Sequence, residues 1–160
     1  MQQRNSAINE IRLPNKDFLP HVVADLENGH TVKLLLRGFS MRPFLEDNRD
    51  TALLTKAVRI RKGDPVLAEI SPGRYVLHRI IKIIGHTIIL RGDGNMRCEM
   101  CTDKDIRANI IGFYRKGRAT LDPIDGWKWR LYSKIWTHLH PIRHYLLAIY
   151  RIFKRVKVKG

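Results

Sequence analysis

Three residue types in this chain could together do nucleophilic chemistry: a serine in the bend of "LLLRGFSMRPFL", a histidine inside "YVLHRIIKI" and a carboxylate in "RGDGN". A serine hydroxyl is a weak nucleophile until a base poised near neutral pH takes its proton, and that base needs a third group to orient it. Seven histidines compete for the role. His21 falls in a helical stretch, His30 and His86 fall at turns, and His138, His140 and His144 fall in a basic C-terminal segment. His78 alone sits inside an apolar strand, where alternation sets it with Val76 and Ile80 and points it away from Arg79. A tight turn over Gly85-His86 pairs Ile84 with Thr87 and, counted back along both strands, His78 with Asp93. Directly opposed Cβ atoms are about 4.5–5.5 Å apart, so Asp93 could then accept the Nδ1 proton and fix the tautomer. Asp, Gly and Asn are also ordinary turn residues, so "GDGN" has a purely structural reading as well.

The elements that must position these groups are short. "NKDFLPHVVADLENG" predicts a helix over 15–28, with Phe18, Val22, Val23 and Leu26 on one face and Gly29 ending it. From Thr31 to Gly117 the pattern becomes β: "TVKLLLR", "TALLTKAV", "DPVLAEI", "RYVLHRIIKII", "HTIILRGD" and "ANIIGFYRKG", separated by Gly, Asp, Asn and Pro. Several runs are apolar on both alternating faces, which predicts a mainly β fold with a coiled or barrel-like sheet. This domain is expected over residues 1–119, followed by a basic amphipathic helical tail over 120–160. In that tail Trp127, Leu131, Tyr132, Ile135, Trp136 and Leu139 share one side of a helix, with Arg130, Lys134 and Thr137 opposite. Pro141 breaks the helix. A second helix groups Tyr145, Leu146, Ile149, Ile152 and Phe153, with Arg143, Arg151, Lys154 and Arg155 across from them.

Composition bounds the function. A 160-residue chain that is 44% hydrophobic and 28% charged has the makings of a packed core, which excludes disorder over most of its length. Its net charge of +15 favours a polyanionic partner, either nucleic acid or acidic phospholipid. The N-terminal stretch is polar, without the apolar core of a secretory signal, and the apolar run Tyr145–Tyr150 is far shorter than the roughly 20 residues of a membrane span. A cytoplasmic location is expected. Cys98 and Cys101 form a lone C-x-x-C, too few ligands for zinc and outside the βαβ setting of a redox dithiol, so neither a metal nor another cofactor is expected.

The boxes "GFSMRP", "KGDPVL", "VLHRI", "LRGDGN" and "IIGFYRK" resemble, in order and spacing, the S24/S26 serine peptidases, which include signal peptidases and LexA-type self-cleaving repressors. The resemblance runs from about Leu34 to Lys116. It implies that Ser40 is the nucleophile and His78 the general base, as in the branch of endoplasmic-reticulum and archaeal signal peptidases that carries histidine followed by arginine. In that branch an acid a few residues beyond the "GDN" box orients the base, and the corresponding position here is Glu99. Two carboxylates thus contend, Asp93 by hairpin geometry and Glu99 by resemblance, with Asp93 ranked first. Signal peptidases often carry S-G-S-M, whose first serine helps bind the oxyanion, and here that position is Gly38. The hole must then come from backbone N–H groups, those of Ser40 and its neighbour Phe39. Phe39 and Met41 are the candidate substrate contacts, Met41 also packing near the site, and Pro43 stiffens the exit from the bend.

The expected function is that of an endopeptidase that removes a leader or signal-like segment from a precursor. The alternatives are a catalytically silent peptide-binding relative and a basic nucleic-acid-binding protein. Nucleic acid is disfavoured, because LexA-type repressors carry a helix-turn-helix before the peptidase domain and only one helix precedes the first strand here. The tail over 127–156, with Trp and Tyr among basic residues, is the pattern of helices that lie on an anionic membrane surface, so peripheral attachment to the inner face is expected; the alternative is that these helices pack on the β domain or a partner and leave Lys and Arg solvated.

Overall fold

The computed structural model describes residues 15–159, and their side chains except at 15, 16, 140 and 154–159. Helix α1 (Asn15–Glu27) leads into strands β1 (Val32–Leu35), β2 (Thr51–Lys56), β3 (Pro65–Ser71), β4 (Arg74–Ile84), β5 (Thr87–Arg91), β6 (Glu99–Thr102), β7 (Ile106–Tyr114) and β8 (Leu121–Pro123), and then into helices α2 (Trp127–His138) and α3 (Arg143–Lys159). The polar stretch 1–14 and the side chains of His140, Lys154 and Arg155 lie outside the described residues.

All strand pairings are antiparallel, in the order β1-β2-β7-β3-β4-β5-β6, with β8 on β7. The mainly β expectation holds, but the sheet is not a closed barrel: β1 and β6, four residues each, are its two ends and do not pair with one another. Strand β7 is long enough to serve two neighbours along the same edge, β3 through Ile106–Asn109 and β8 through Gly112–Tyr114. Register shifts at Leu53/Leu54, Leu67/Ala68 and Ile80/Lys82 add local twist, so the sheet coils without closing.

Both faces are covered, which is why several runs read apolar throughout. One core joins Leu19, Val22 and Leu26 of α1 to Leu54, Ile110, Phe113 and Trp129. The other holds Val66, Ala68, Ile80, Ile88, Leu90 and Cys101. In α1 it is Leu19, not Phe18, that joins Val22 and Leu26 in the core, and Phe18 is exposed. Cys98 and Cys101 are free thiols, and burial pushes the Cys101 thiol up to about 11, so it stays protonated and packs as a small apolar group.

Residues 121–150 are bound into this body. Strand β8 extends the sheet, and α2 presents Trp129, Tyr132, Ser133 and Trp136 inward at helical spacing. Phe44 packs between Trp129 and Tyr132, at centroid distances of 5.0 and 4.4 Å. The apolar side expected for α2 therefore divides: Tyr132 and Trp136 turn inward, whereas Trp127, Leu131 and Ile135 face out. In α3, Arg143, which helical spacing sets on the basic side, is buried, and its Nη2 donates to the Trp136 carbonyl at 2.8 Å.

Candidate active site

Leaving β1, the chain turns at Gly38, whose φ of +90° is a conformation that a side chain would strain. The Gly38 N–H donates to Asp47 Oδ1 at 2.7 Å, and the half-buried Ser40 follows in the turn. Across from it runs the β5–β6 connection, tied to the serine turn by the Gly94 N–H donating to the Ser40 carbonyl at 2.7 Å. Gly92 is needed for this approach. A Cβ there would stand 2.4 Å from the Ser40 carbonyl oxygen and 3.0 Å from His78 Nε2. The serine turn and the imidazole thus meet over a residue with no side chain.

Ser40 and His78 line one cleft of about 250 Å³, together with Met41, Asn95, Glu46 and Glu99. His78 is 2% exposed. Its Nδ1 lies 2.6 Å from Glu99 Oε2, an ion-pair distance, though off the in-line N–H direction of a full hydrogen bond. The other Glu99 oxygen accepts from Arg74 Nη2 at 2.9 Å, which fixes the carboxylate's orientation. On the far side of the ring, Nε2 faces the Asn95 amide at 3.4 Å. Among the described residues no hydrogen bond joins Ser40 Oγ to Nε2, and none engages the backbone N–H of Phe39 or Ser40. Burial lowers the His78 pKa below its ordinary value, against the opposing pull of the Glu99 and Asp93 carboxylates, so the ring is neutral near pH 7. That is the state a proton acceptor needs.

The expected pairing of His78 with Asp93 is not formed. The hairpin turns tightly over Gly85-His86 as predicted, with Ile84 opposite Thr87 and Lys82 opposite Ile89. A bulge then skips Ile81, so that Ile80 faces Leu90 and Arg79 faces Arg91. A one-residue slip sends each following side chain to the other face of the sheet. Asp93 consequently joins Arg79, accepting from Nε at 2.9 Å and from Nη2 at 2.7 Å. The carboxylate beside His78 Nδ1 is that of Glu99, carried on β6, a strand the sequence pattern does not reveal.

The Arg79–Asp93 pair, 2% and 1% exposed, is locked by α2. Tyr132 Oη donates to Asp93 Oδ2 at 2.8 Å, Trp136 Nε1 donates to the Asp93 carbonyl at 3.0 Å, and Arg79 Nη1 donates to Ser133 Oγ at 2.6 Å. Burial, and then the Asp93 carboxylate, push the Tyr132 phenol well above its ordinary value, so it stays a donor. Burial opposes the charge on Arg79, yet the hydrogen bonds to Asp93 hold its pKa above the ordinary value.

Of the candidate substrate contacts, Met41 is buried and forms part of the cleft wall, whereas the Phe39 ring is exposed beyond the lining, with the Arg42 guanidinium 4.0 Å above it. Asn95, Arg74 and the α2 residues around Asp93 carry no signal in the sequence beyond turn composition and helical spacing. Among the described residues no group of three His, Cys, Asp or Glu is arranged to hold a metal ion. No helix among them is long and apolar enough to cross a membrane. In comparisons with known proteins, no family model matches this chain and no curated protein matches its sequence. The chemistry has to be read from the cleft.

Proposed function

We propose that this protein is a serine endopeptidase of the S24/S26 type, in which Ser40 attacks the scissile carbonyl of a peptide or protein precursor. The observation that carries the reading is a neutral, buried His78 in one cleft with Ser40, its Nδ1 at 2.6 Å from Glu99 Oε2. His78 Nε2 takes the hydroxyl proton as the Ser40 Oγ–carbon bond forms. Glu99 holds the Nδ1 proton and stabilises the imidazolium that results. The N–H groups of Phe39 and Ser40 supply donors for the oxyanion. When the tetrahedral adduct collapses, the imidazolium returns its proton to the leaving amine. Water, deprotonated by the same ring, then attacks the acyl–Ser40 ester and releases the new carboxylate. Closing of the serine–histidine hydrogen bond on substrate binding is usual for such sites, whose catalytic contacts are often long when empty.

The test is cleavage of a mass-encoded peptide library and of co-expressed leader-bearing precursors by the full chain. The expected result is cleavage that disappears in Ser40→Ala and in His78→Ala while both variants melt like the parent. Cleavage that persists in Ser40→Ala overturns the nucleophile assignment. Peptide retention without cleavage in the parent favours a silent binding module built on the same cleft.

A further inference from the structure

Helices α2 and α3 each carry two apolar faces, and only one of them is used. The inner faces, Trp129, Tyr132 and Trp136 of α2 and Arg143, Leu147 and Tyr150 of α3, pack on the body or bond to it. The outer face of α2 runs Trp127, Leu131, Ile135 at four-residue spacing, with exposures of 72%, 51% and 49%. That of α3 groups Tyr145, Ile149, Ile152 and Phe153, all exposed. A soluble helix needs one apolar face to pack, so a second one, ending in large aromatic side chains, has no role in the fold.

The charged residues of these two helices are all basic. No acidic residue occurs from Gly126 to Gly160. On the helical wheel the α2 stripe is flanked by Lys134 and Arg130, both exposed. Beside α2 opens a cleft of about 620 Å³ lined by Arg59, Arg61, Lys62 and Arg130, with the carboxylates of Asp64 and Asp125 also on its wall. Aromatic and branched side chains between basic ones suit the acyl–headgroup boundary of a bilayer, where apolar groups enter the acyl region and cations meet phosphates.

We infer that the outer faces of α2 and α3 form a docking surface for an anionic phospholipid bilayer, on which the protein lies without crossing it. Nothing in this depends on the chemistry of the cleft. The same helix that braces Asp93 from inside would then seat the molecule from outside.

The experiment is flotation of the full chain with phosphatidylglycerol–phosphatidylcholine vesicles and with pure phosphatidylcholine vesicles. The parent is expected to float with the anionic vesicles, less so as salt rises, and to stay behind with the neutral ones. In the paired variant Leu131→Glu/Ile149→Glu, partitioning should fall by at least about tenfold, with an unchanged melting temperature because both side chains point outward. Arg130→Glu/Lys134→Glu should lose the anionic preference by a comparable factor. Equal flotation of parent and apolar-face variant overturns the proposal, as does failure of the parent to float. So does a parent dimer in solution that the Leu131→Glu/Ile149→Glu variant dissociates, or retention on duplex DNA that this variant keeps while no vesicle binding is seen.

Discussion

His78 and Arg79 are consecutive on β4, point to opposite faces of the sheet and each take a carboxylate, yet the two carboxylates do different work. Glu99, on the cleft side, is the one whose loss should fall on chemistry. In Glu99→Gln the tautomer is no longer fixed, and kcat should drop on the order of 10²–10⁴-fold, with little change in melting temperature. The acid limb of the pH profile adds a sign. In the proposed mechanism activity requires the neutral ring, so it should fail as pH falls through the His78 pKa, which burial already sets below the ordinary imidazole value. Removing the carboxylate that opposes this lowering should carry the limb to still lower pH; a limb that moves upward contradicts the assignment. Asp93→Asn is expected to behave in the opposite way, leaving Arg79 buried and unpaired at a cost of about 3–5 kcal/mol. The melting temperature should fall first, and the acid limb of whatever activity survives should move to lower pH by less than in Glu99→Gln. Sequence alone ranks these two carboxylates the other way, since alternation and a two-residue turn are visible in the residues and a bulge is not. Nothing in "HRIIKII" distinguishes the skipped Ile81 from its neighbours.

At the level of elements, the strands that can be read in advance are those with β-branched and apolar runs, and β6 and β8 have neither. "EMCT" and "LDP" become strands because β5 and β7 offer them free edges, which is tertiary context overriding weak local preference. The β5–β6 connection, by contrast, is legible as a turn but not as a wall of the cleft. Its tightest point is testable. In Gly92→Ala the new methyl would meet the Ser40 carbonyl and His78 Nε2, so the serine turn or the imidazole must shift. Overpacking of this kind costs about 1–3 kcal/mol, and activity should suffer beyond what the loss of stability explains. A melting curve and a kcat measured on the same preparation separate the two. Helical periodicity likewise finds α2 and α3 but cannot say which of two apolar faces goes in, because the deciding partners, Phe44, Asp93 and Glu46, come from distant parts of the chain.

Across the whole molecule, the C-terminal helices belong to the architecture of the site and are not an appendage to it. Tyr132→Phe removes one charge-assisted hydrogen bond to Asp93 and should destabilise the protein by about 1.5–3 kcal/mol, read as a lower urea midpoint with an unchanged slope. Ending the chain at residue 119 removes β8, the Trp129 contribution to the core and every α2 contact to Arg79 and Asp93. That truncated chain is expected to be recovered aggregated or poorly folded, and a cooperative melt like the parent's would contradict the assigned role of α2. The bracing of Asp93 by Tyr132 and Trp136 also imposes an order in time. During synthesis the serine turn, the imidazole and Glu99 leave the ribosome well before residue 136, so the loop that joins them goes unbraced until the helix arrives. On the reading proposed above, a chain halted short of α2 would carry Ser40, His78 and Glu99 without the contacts that hold Asp93 and its loop.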